Sequence, residues 1–438
     1  MSAKPRTVVC FGAGPAYKGG MSNYNTSLAK SLAGMADVKV HIVSWSEQYP
    51  SIVPRDFKDR VSQLDFLEGY DVPVSYRLNY NNPFSWTSTA QYIASLNPDQ
   101  VIIQWSIAIQ GLPLSRMIAK LKKLRPACEV ILDLHFVIQK ERSTIDEVLT
   151  KRGLAGADTF IVHALNTYEE LQQVFPNRKF DLTYTGERNW QKAPNGTPVI
   201  KLFHPIYDLY QPDPAFDVQA FKAQHGLREN CFLYFGFIRK YKGLHNAIRA
   251  FAEVAKERED VSFMICGELF WNTLAPDSAV AKIKKALFGA AKKVLLRGKE
   301  DDEKNYNPLT LVEELGLADK TLVVSEFIPN EDVSKYFQTA DSVVLFYTRA
   351  TPSGIESLSY NFNVPILATR VGHFPETIQE GKNGYMVEEN TVAGMATAMR
   401  RSLAEPIPPG NVDAFKEKLS WGSYAAAILA QKKKSARI

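Results

Sequence analysis

Cysteine is scarce: Cys10, Cys128, Cys231 and Cys266 are the only four in 438 residues, and they lie far apart. No Cys-x-x-Cys pair occurs, which argues against a zinc site. The thiols read as reduced core groups of a cytoplasmic protein. Long apolar runs are also missing. Charges interrupt every run well before the roughly 20 residues that a membrane span needs. The start, MSAKPRTVVCFGAG, is basic, but its short apolar run reads as a first strand and not as a signal peptide. Charge of one sign is nearly balanced. A net +5 is too small to imply a nucleic-acid partner. The dinucleotide fingerprint is absent as well, because Gly12, Gly14, Gly19 and Gly20 miss the G-x-G-x-x-G spacing.

What remains is an alternation of Val- and Ile-rich runs with helical stretches. The first half offers strands at 7–12, 38–45, 99–105, 129–135, 158–164 and 199–204. After the first of them, Tyr24, Leu28 and Leu32 recur at helical spacing. The pattern pauses at HPIYDLYQPDPAF (204–216), a plausible linker, and restarts with strands at 231–237, 261–268, 321–327, 341–347 and 364–369. Runs buried on both faces with helices between them predict parallel sheets. The expected organisation is α/β. Two Rossmann-like halves, 1–206 and 207–415, are followed by a closing segment, 416–438, that ends in a basic tail.

Chemistry-bearing residues gather where strands give way to helices. In FGFIRKYKG, Gly236 ends an apolar run, and Arg239 and Lys242 follow just before a helical pattern. A mobile ammonium and a planar guanidinium at a strand end suit a diphosphate. In YTRATPSGIES, Gly354 has no side chain to keep a phosphate from the coming helix, and Thr351 and Ser353 offer hydroxyl donors. Glu356 has a structural account of its own, since Ser353 and Glu356 spell an S-x-x-E capping box. Gly19-Gly20 before the first helix makes a plausible anion-binding loop. His135 closes the strand VILDLH, as His163 and His204 close theirs, and each has the alternative of bonding a backbone carbonyl.

One stretch breaks the alternation. In AVAKIKKALFGAAKKVLLRGK (279–299) an apolar face runs beside six lysine and arginine positions. Such a helix either packs on the core as an ordinary surface helix or lies in an anionic membrane surface.

Taken in order, these pieces resemble the retaining, nucleotide-sugar-dependent glycosyltransferases of family 4, which have the GT-B fold of two Rossmann-like domains facing across a cleft. The matching motifs are the Gly19-Gly20 loop, LDLHFVIQKE (132–141), LFHPIYDLY (202–210), FGFIRKYKG (235–243), ICGE (265–268), SEFIPNEDVSKYFQTADSVVLFY (325–347) and SGIESLSYNFNVPILATRVGHFPETIQEGKNGYMV (353–387). LSWGSYAAAILA (419–430) matches the helix that crosses back to the first domain. The resemblance implies a nucleotide-sugar donor held in the cleft by the second domain. Arg239 and Lys242 would sit on the diphosphate, with Gly236, Glu268, Thr351, Ser353, Gly354 and Glu356 nearby. The main chain at Phe327 and Ile328 would meet the base. Gly19-Gly20 would face the phosphate or the acceptor, and His135 the donor sugar. No metal or other cofactor is expected.

Two departures stand out. Many relatives carry two glutamates eight positions apart; here those positions are Ala350 and Leu358. Relatives usually have glycine where this chain has Asn363. The resemblance therefore implies transfer of a sugar to a hydroxyl of a glycan or lipid-linked acceptor, in the cytoplasm or at the inner face of its membrane. A non-catalytic glycosyltransferase-like binding subunit and a sugar-nucleotide epimerase are the alternatives.

Overall fold

A computed structural model describes residues 5–51, 53, 57–138, 144–269, 306–352 and 354–430. The basic stretch 279–299, the tail and Ser353 lie outside the described residues.

The strands are β1 (Arg6–Gly12), β2 (Val38–Glu47), β3 (Val74–Asn79), β4 (Gln100–Trp105), β5 (Glu129–Leu134), β6 (Thr159–Val162), β7 (Phe180–Thr183) and β8 (Thr197–Lys201), then β9 (Asn230–Phe235), β10 (Val261–Cys266), β11 (Thr321–Val324), β12 (Ser342–Leu345), β13 (Ile366–Ala368) and β14 (Gly384–Met386). They form two sheets, ordered β3-β2-β1-β4-β5-β6-β8-β7 and β11-β10-β9-β12-β13-β14. Every pairing is parallel. Every residue of β4, β5 and β10 is buried, as strands covered by helices on both faces must be. All eleven strands expected from the sequence are present. β3, β7 and β14 were not expected, and the reason lies in their exposure and brevity.

The winding reverses between β1 and β4 in the first sheet, which turns back again at its β8-β7 edge, and between β9 and β12 in the second. Loops that leave the carboxyl ends of such strands diverge and open a crevice. The loop after β1 leads into the helix Gly20–Ala33, on which Tyr24, Leu28 and Leu32 are fully buried. The loop after β9 carries Arg239 and Lys242 into the helix Leu244–Ala255. That helix buries Leu244, Ala247, Ile248, Phe251 and Ala255, one stripe at i, i+3, i+4 spacing.

Gly243 makes this last junction possible. Its φ is 68°, and a Cβ there would stand 2.0 Å from the Phe346 carbonyl oxygen. Gly243→Ala is therefore expected to cost about 1–3 kcal/mol or more, read as a lower denaturant midpoint. An unchanged midpoint would mean that the junction relaxes freely. Asn363, the other departure from the sequence pattern, also has a positive φ, 57°. Asn tolerates this left-handed conformation better than other side-chain-bearing residues, and its Oδ1 accepts a 3.1 Å bond from Lys416 Nζ. It therefore meets the backbone requirement that glycine would meet.

After the second sheet the chain returns to the first domain. Helix Trp421–Leu429 packs against helix Gly20–Ala33. The Arg6 guanidinium donates to the Leu429 carbonyl. Arg188 reaches the Ile428 and Ala430 carbonyls while it grips Glu129 at 2.6 and 2.8 Å. The four cysteines are buried and free. Among the described residues, no helix is long and apolar enough to cross a membrane.

Candidate donor cleft

The carboxyl ends of β1, β5, β9, β10, β11 and β12 converge on a cavity of about 250 Å³ between the two sheets. Nine of the residues singled out in the sequence line it: Gly19, Gly20, Gly236, Lys242, Glu268, Phe327, Ile328, Thr351 and Gly354. Segments more than 300 residues apart in sequence thus meet in one place.

Glycine shapes the floor. At Gly236, φ is 90°, and an added Cβ would lie 3.2 Å from Lys242 Nζ, so the bare backbone is what lets the ammonium come in. Gly267 supports it from behind, where a Cβ would meet the Gly236 carbonyl oxygen at 2.3 Å. Lys242 Nζ also lies 5.9 Å from the centre of the Tyr347 ring. Burial, reinforced by the Arg239 charge, brings the Lys242 pKa down to about 7. An ammonium that gives up its proton this readily would gain from an anion beside it. Arg239 itself does not line the cavity. Its guanidinium lies 5.1 Å from the Tyr241 ring centre and acts on Lys242 through its field.

Aromatic rings form much of the rest. Eight lining residues are aromatic, enough to offer flat apolar faces to a base or a sugar ring. Phe327 is one of them, and the Lys18 ammonium of the first domain rests over its ring at 4.7 Å. Further bonds close the cleft. Asn23 donates to the Tyr210 hydroxyl at 2.6 Å, and that hydroxyl donates to Asn330 Oδ1 at 2.8 Å. The Asn330 amide donates to Ser62 Oγ at 3.0 Å.

Two expected site residues turn away from the cavity. Glu356 is buried, and its carboxylate lies 2.5 Å from His373 Nε2 and accepts from the Tyr360 hydroxyl at 3.4 Å. It faces a separate space of about 10 Å³, the size of one water, lined also by His163 and His204. An expectation of donor contact through Glu356 therefore gives way to an internal hydrogen bond with His373. Its capping partner Ser353 is outside the described residues.

His135 is the second. It stands at the end of β5 as expected, but its neighbour Phe136 reaches the cavity instead. The His135 ring packs edge-on to Tyr24 at 4.6 Å, and Nε2 lies 2.7 Å from Gln104 Oε1. Burial pulls its pKa down to about 4, with His163 adding to the shift and Asp133 opposing it. A neutral, enclosed imidazole is not placed to touch a donor sugar directly.

Behind it lies a buried cluster. Asp133 Oδ1 is 2.8 Å from His163 Nε2, and Asp133 Oδ2 is 2.9 Å from the Tyr24 hydroxyl and 3.2 Å from the Tyr424 hydroxyl. Burial works against the Asp133 charge, but His163, His135 and Tyr24 outweigh it and hold the carboxyl below its usual range. Asp133, His135 and His163 present ligand-capable atoms within 4.8 Å of one another. The carboxylate's neighbours sit at hydrogen-bonding distance, so the arrangement reads as a network joining β5 and β6 to the closing helix.

Sequence reasoning missed Tyr207, Tyr210 and Asn330, which line the cavity from the linker and the second domain. The available signal was a pair of tyrosines three apart in a linker rich in proline and aspartate.

Residues 216–425 match the family described as Glycosyl transferases group 1. The match takes in the whole second sheet, β9 to β14. Among curated proteins, the chain is 22% identical over 274 residues to spore coat protein SA of Bacillus subtilis, covering 62% of each. It is 26% identical over 183 residues to N-acetyl-alpha-D-glucosaminyl L-malate synthase of Bacillus anthracis, covering 41% of this chain and 38% of that one. The matches thus span between 38% and 62% of these relatives' lengths. Among solved structures, Alr3699/HepE of Anabaena in complex with UDP superposes with a TM-score of 0.60 at 14% identity, over 97% of this chain and 98% of that one. Sucrose-phosphate synthase of Thermosynechococcus elongatus does so with 0.57 at 15% identity, over 98% and 95%. Two parallel-sheet domains facing across a cleft are the GT-B fold, and this chain has it.

Proposed function

We propose that this group 1 protein transfers a sugar from a nucleoside-diphosphate donor to a hydroxyl of a glycan or lipid-linked acceptor, with retention at the anomeric carbon. The observation that carries it is Lys242: a cation with a pKa near 7, packed on bare glycine backbone where strand ends converge. Such a group stabilises charge that grows on a leaving diphosphate. The solved Anabaena relative with UDP in its complex supports a uridine nucleotide as the first donor class to try.

In this scheme the base lies along Phe327 and Ile328, and the phosphates lie between Lys242 and the two glycine-bearing helix starts at Gly20 and Gly354. The closed cleft limits water, so the sugar passes to the acceptor and not to solvent. With Glu356 engaged by His373, a front-face displacement in which the departing phosphate takes the acceptor proton suits the site. No step is assigned to a metal.

A second reading, a binding subunit without turnover, is favoured by Leu358, an apolar side chain on the cavity wall, and by the buried Ala350. Thermal melting with UDP, GDP and their sugars tests both. A ligand at 100 times its Kd stabilises the fold by about 2.7 kcal/mol, so a rise of several degrees is expected for one nucleotide class. Slow release of free sugar from that donor then supports transfer. Binding with no hydrolysis or transfer on any donor supports the subunit, and no shift with any nucleotide overturns both.

A further inference from the structure

Tyr207 stands where the two domains' glycine-bearing helix starts meet. Its hydroxyl donates to the Gly20 carbonyl at 2.8 Å, at the start of helix Gly20–Ala33. The same side chain lies against Gly354, which begins helix Gly354–Asn361. A Cβ on Gly354 would fall 2.5 Å from the Tyr207 ring and 2.7 Å from its hydroxyl, and a Cβ on Gly20 would fall 3.1 Å from that hydroxyl. Both glycines are therefore needed to admit one tyrosine. The side chain lines the cavity, although the residue is only 5% exposed, and His204 flanks the ring at 5.6 Å.

Helix starts carry unpaired amides and partial positive charge, and they favour an anion between them. A phenol whose pKa burial drives upward stays neutral and cannot supply that charge. The ring therefore takes up space that the two helix starts would otherwise share with a phosphate group. Tyr207 belongs to residues 202–229, the connection between the two sheets, so separating the domains draws Gly20 and Gly354 apart and frees the ring.

We propose that Tyr207 is a specificity-determining gate: its ring and the outer phosphate of a donor contend for the space between Gly20 and Gly354. This rests on the proposed donor function and adds to it a residue that sorts nucleotides by phosphate number. A nucleoside monophosphate, seated near Phe327 and Lys242, leaves the ring in place. A diphosphate must turn it aside, breaking the bond to Gly20.

The test compares UMP with UDP, binding each to the full-length protein and to Tyr207→Phe and Tyr207→Ala by calorimetry. Losing the bond to Gly20 should tighten UDP binding roughly 2- to 10-fold, the span of one ordinary hydrogen bond, in both variants. UMP affinity should stay within about 2-fold. Tyr207→Phe keeps the ring and the packing, so it carries the test should Tyr207→Ala fold poorly. Equal changes for the two nucleotides, or weaker UDP binding in Tyr207→Phe, would overturn the gate and leave the donor site standing. If the unaltered protein binds neither UDP nor GDP, the donor site and the gate fall together.

Discussion

Replacing both Arg239 and Lys242 by alanine should weaken nucleoside-diphosphate binding by well over 10-fold while leaving an uncharged nucleoside unaffected. A hydrogen bond to a charged partner is worth about 1.5–3 kcal/mol, or roughly 10- to 150-fold per group. Lys242 should account for most of the loss, because it lines the cavity and Arg239 does not. The pH profile separates the two. With a pKa near 7, Lys242 carries its charge below that pH and sheds it above. An anion favours the charged form, so affinity should decline as pH rises past 7, and binding at pH 8 should draw a proton from buffer. On the acid side, the terminal phosphate gives up one of its two negative charges below about pH 6, which leaves an optimum between the two. Lys242→Arg keeps a permanent charge and should flatten the alkaline limb. Calorimetry in two buffers of different ionisation heat reads the proton directly. Equal UDP affinity in the double alanine variant would remove the basis of the donor assignment.

The second large effect belongs to Arg188. Its side chain is 1% exposed and faces Glu129 at 0%. Besides that fork it holds three carbonyls, those of Gly186, Ile428 and Ala430. Glu129 is also bonded by Gln100 and by Thr159. Arg188→Ala strands a buried carboxylate and loosens the closing helix together, so a loss of about 3–5 kcal/mol is expected in urea unfolding. Removing the charge as well, in Arg188→Ala with Glu129→Gln, should recover part of it. A loss under about 1 kcal/mol for the single variant would show that water reaches the carboxylate and that the helix is held by its apolar face alone.

Much of the architecture was legible because parallel strands covered on both faces are mostly apolar, as VIIQW and VILDL are. The three strands that escaped notice lack that signature. β3 is half-buried or exposed at five of its six positions and lies at the edge of its sheet, β7 has four half-buried or exposed residues, and β14 has three residues in all. The cleft was legible wherever chemistry needs a bare backbone or a cation at a strand end, which is how Gly19, Gly236, Lys242 and Gly354 were found. It was opaque where a side chain's direction depends on distant packing. His135 has the right position in the chain, but Tyr24 and Gln104 turn its ring inward. Glu356 has the right type of group, but His373, seventeen residues on, claims it. Tyr207 and Tyr210 gain meaning only when the second domain is folded over them.

The closing helix has a consequence for how the protein is made. Arg6 is bonded to Leu429, and Tyr24 touches Tyr424 at 2.6 Å, so the first domain is completed by residues made after the second domain. Domains usually settle in order as a chain is synthesised. Here the earlier one must wait, with the Asp133 carboxylate missing its Tyr424 partner, until the closing helix has been made. A nascent chain stalled short of residue 421 should hold a sound second half and an unfinished first.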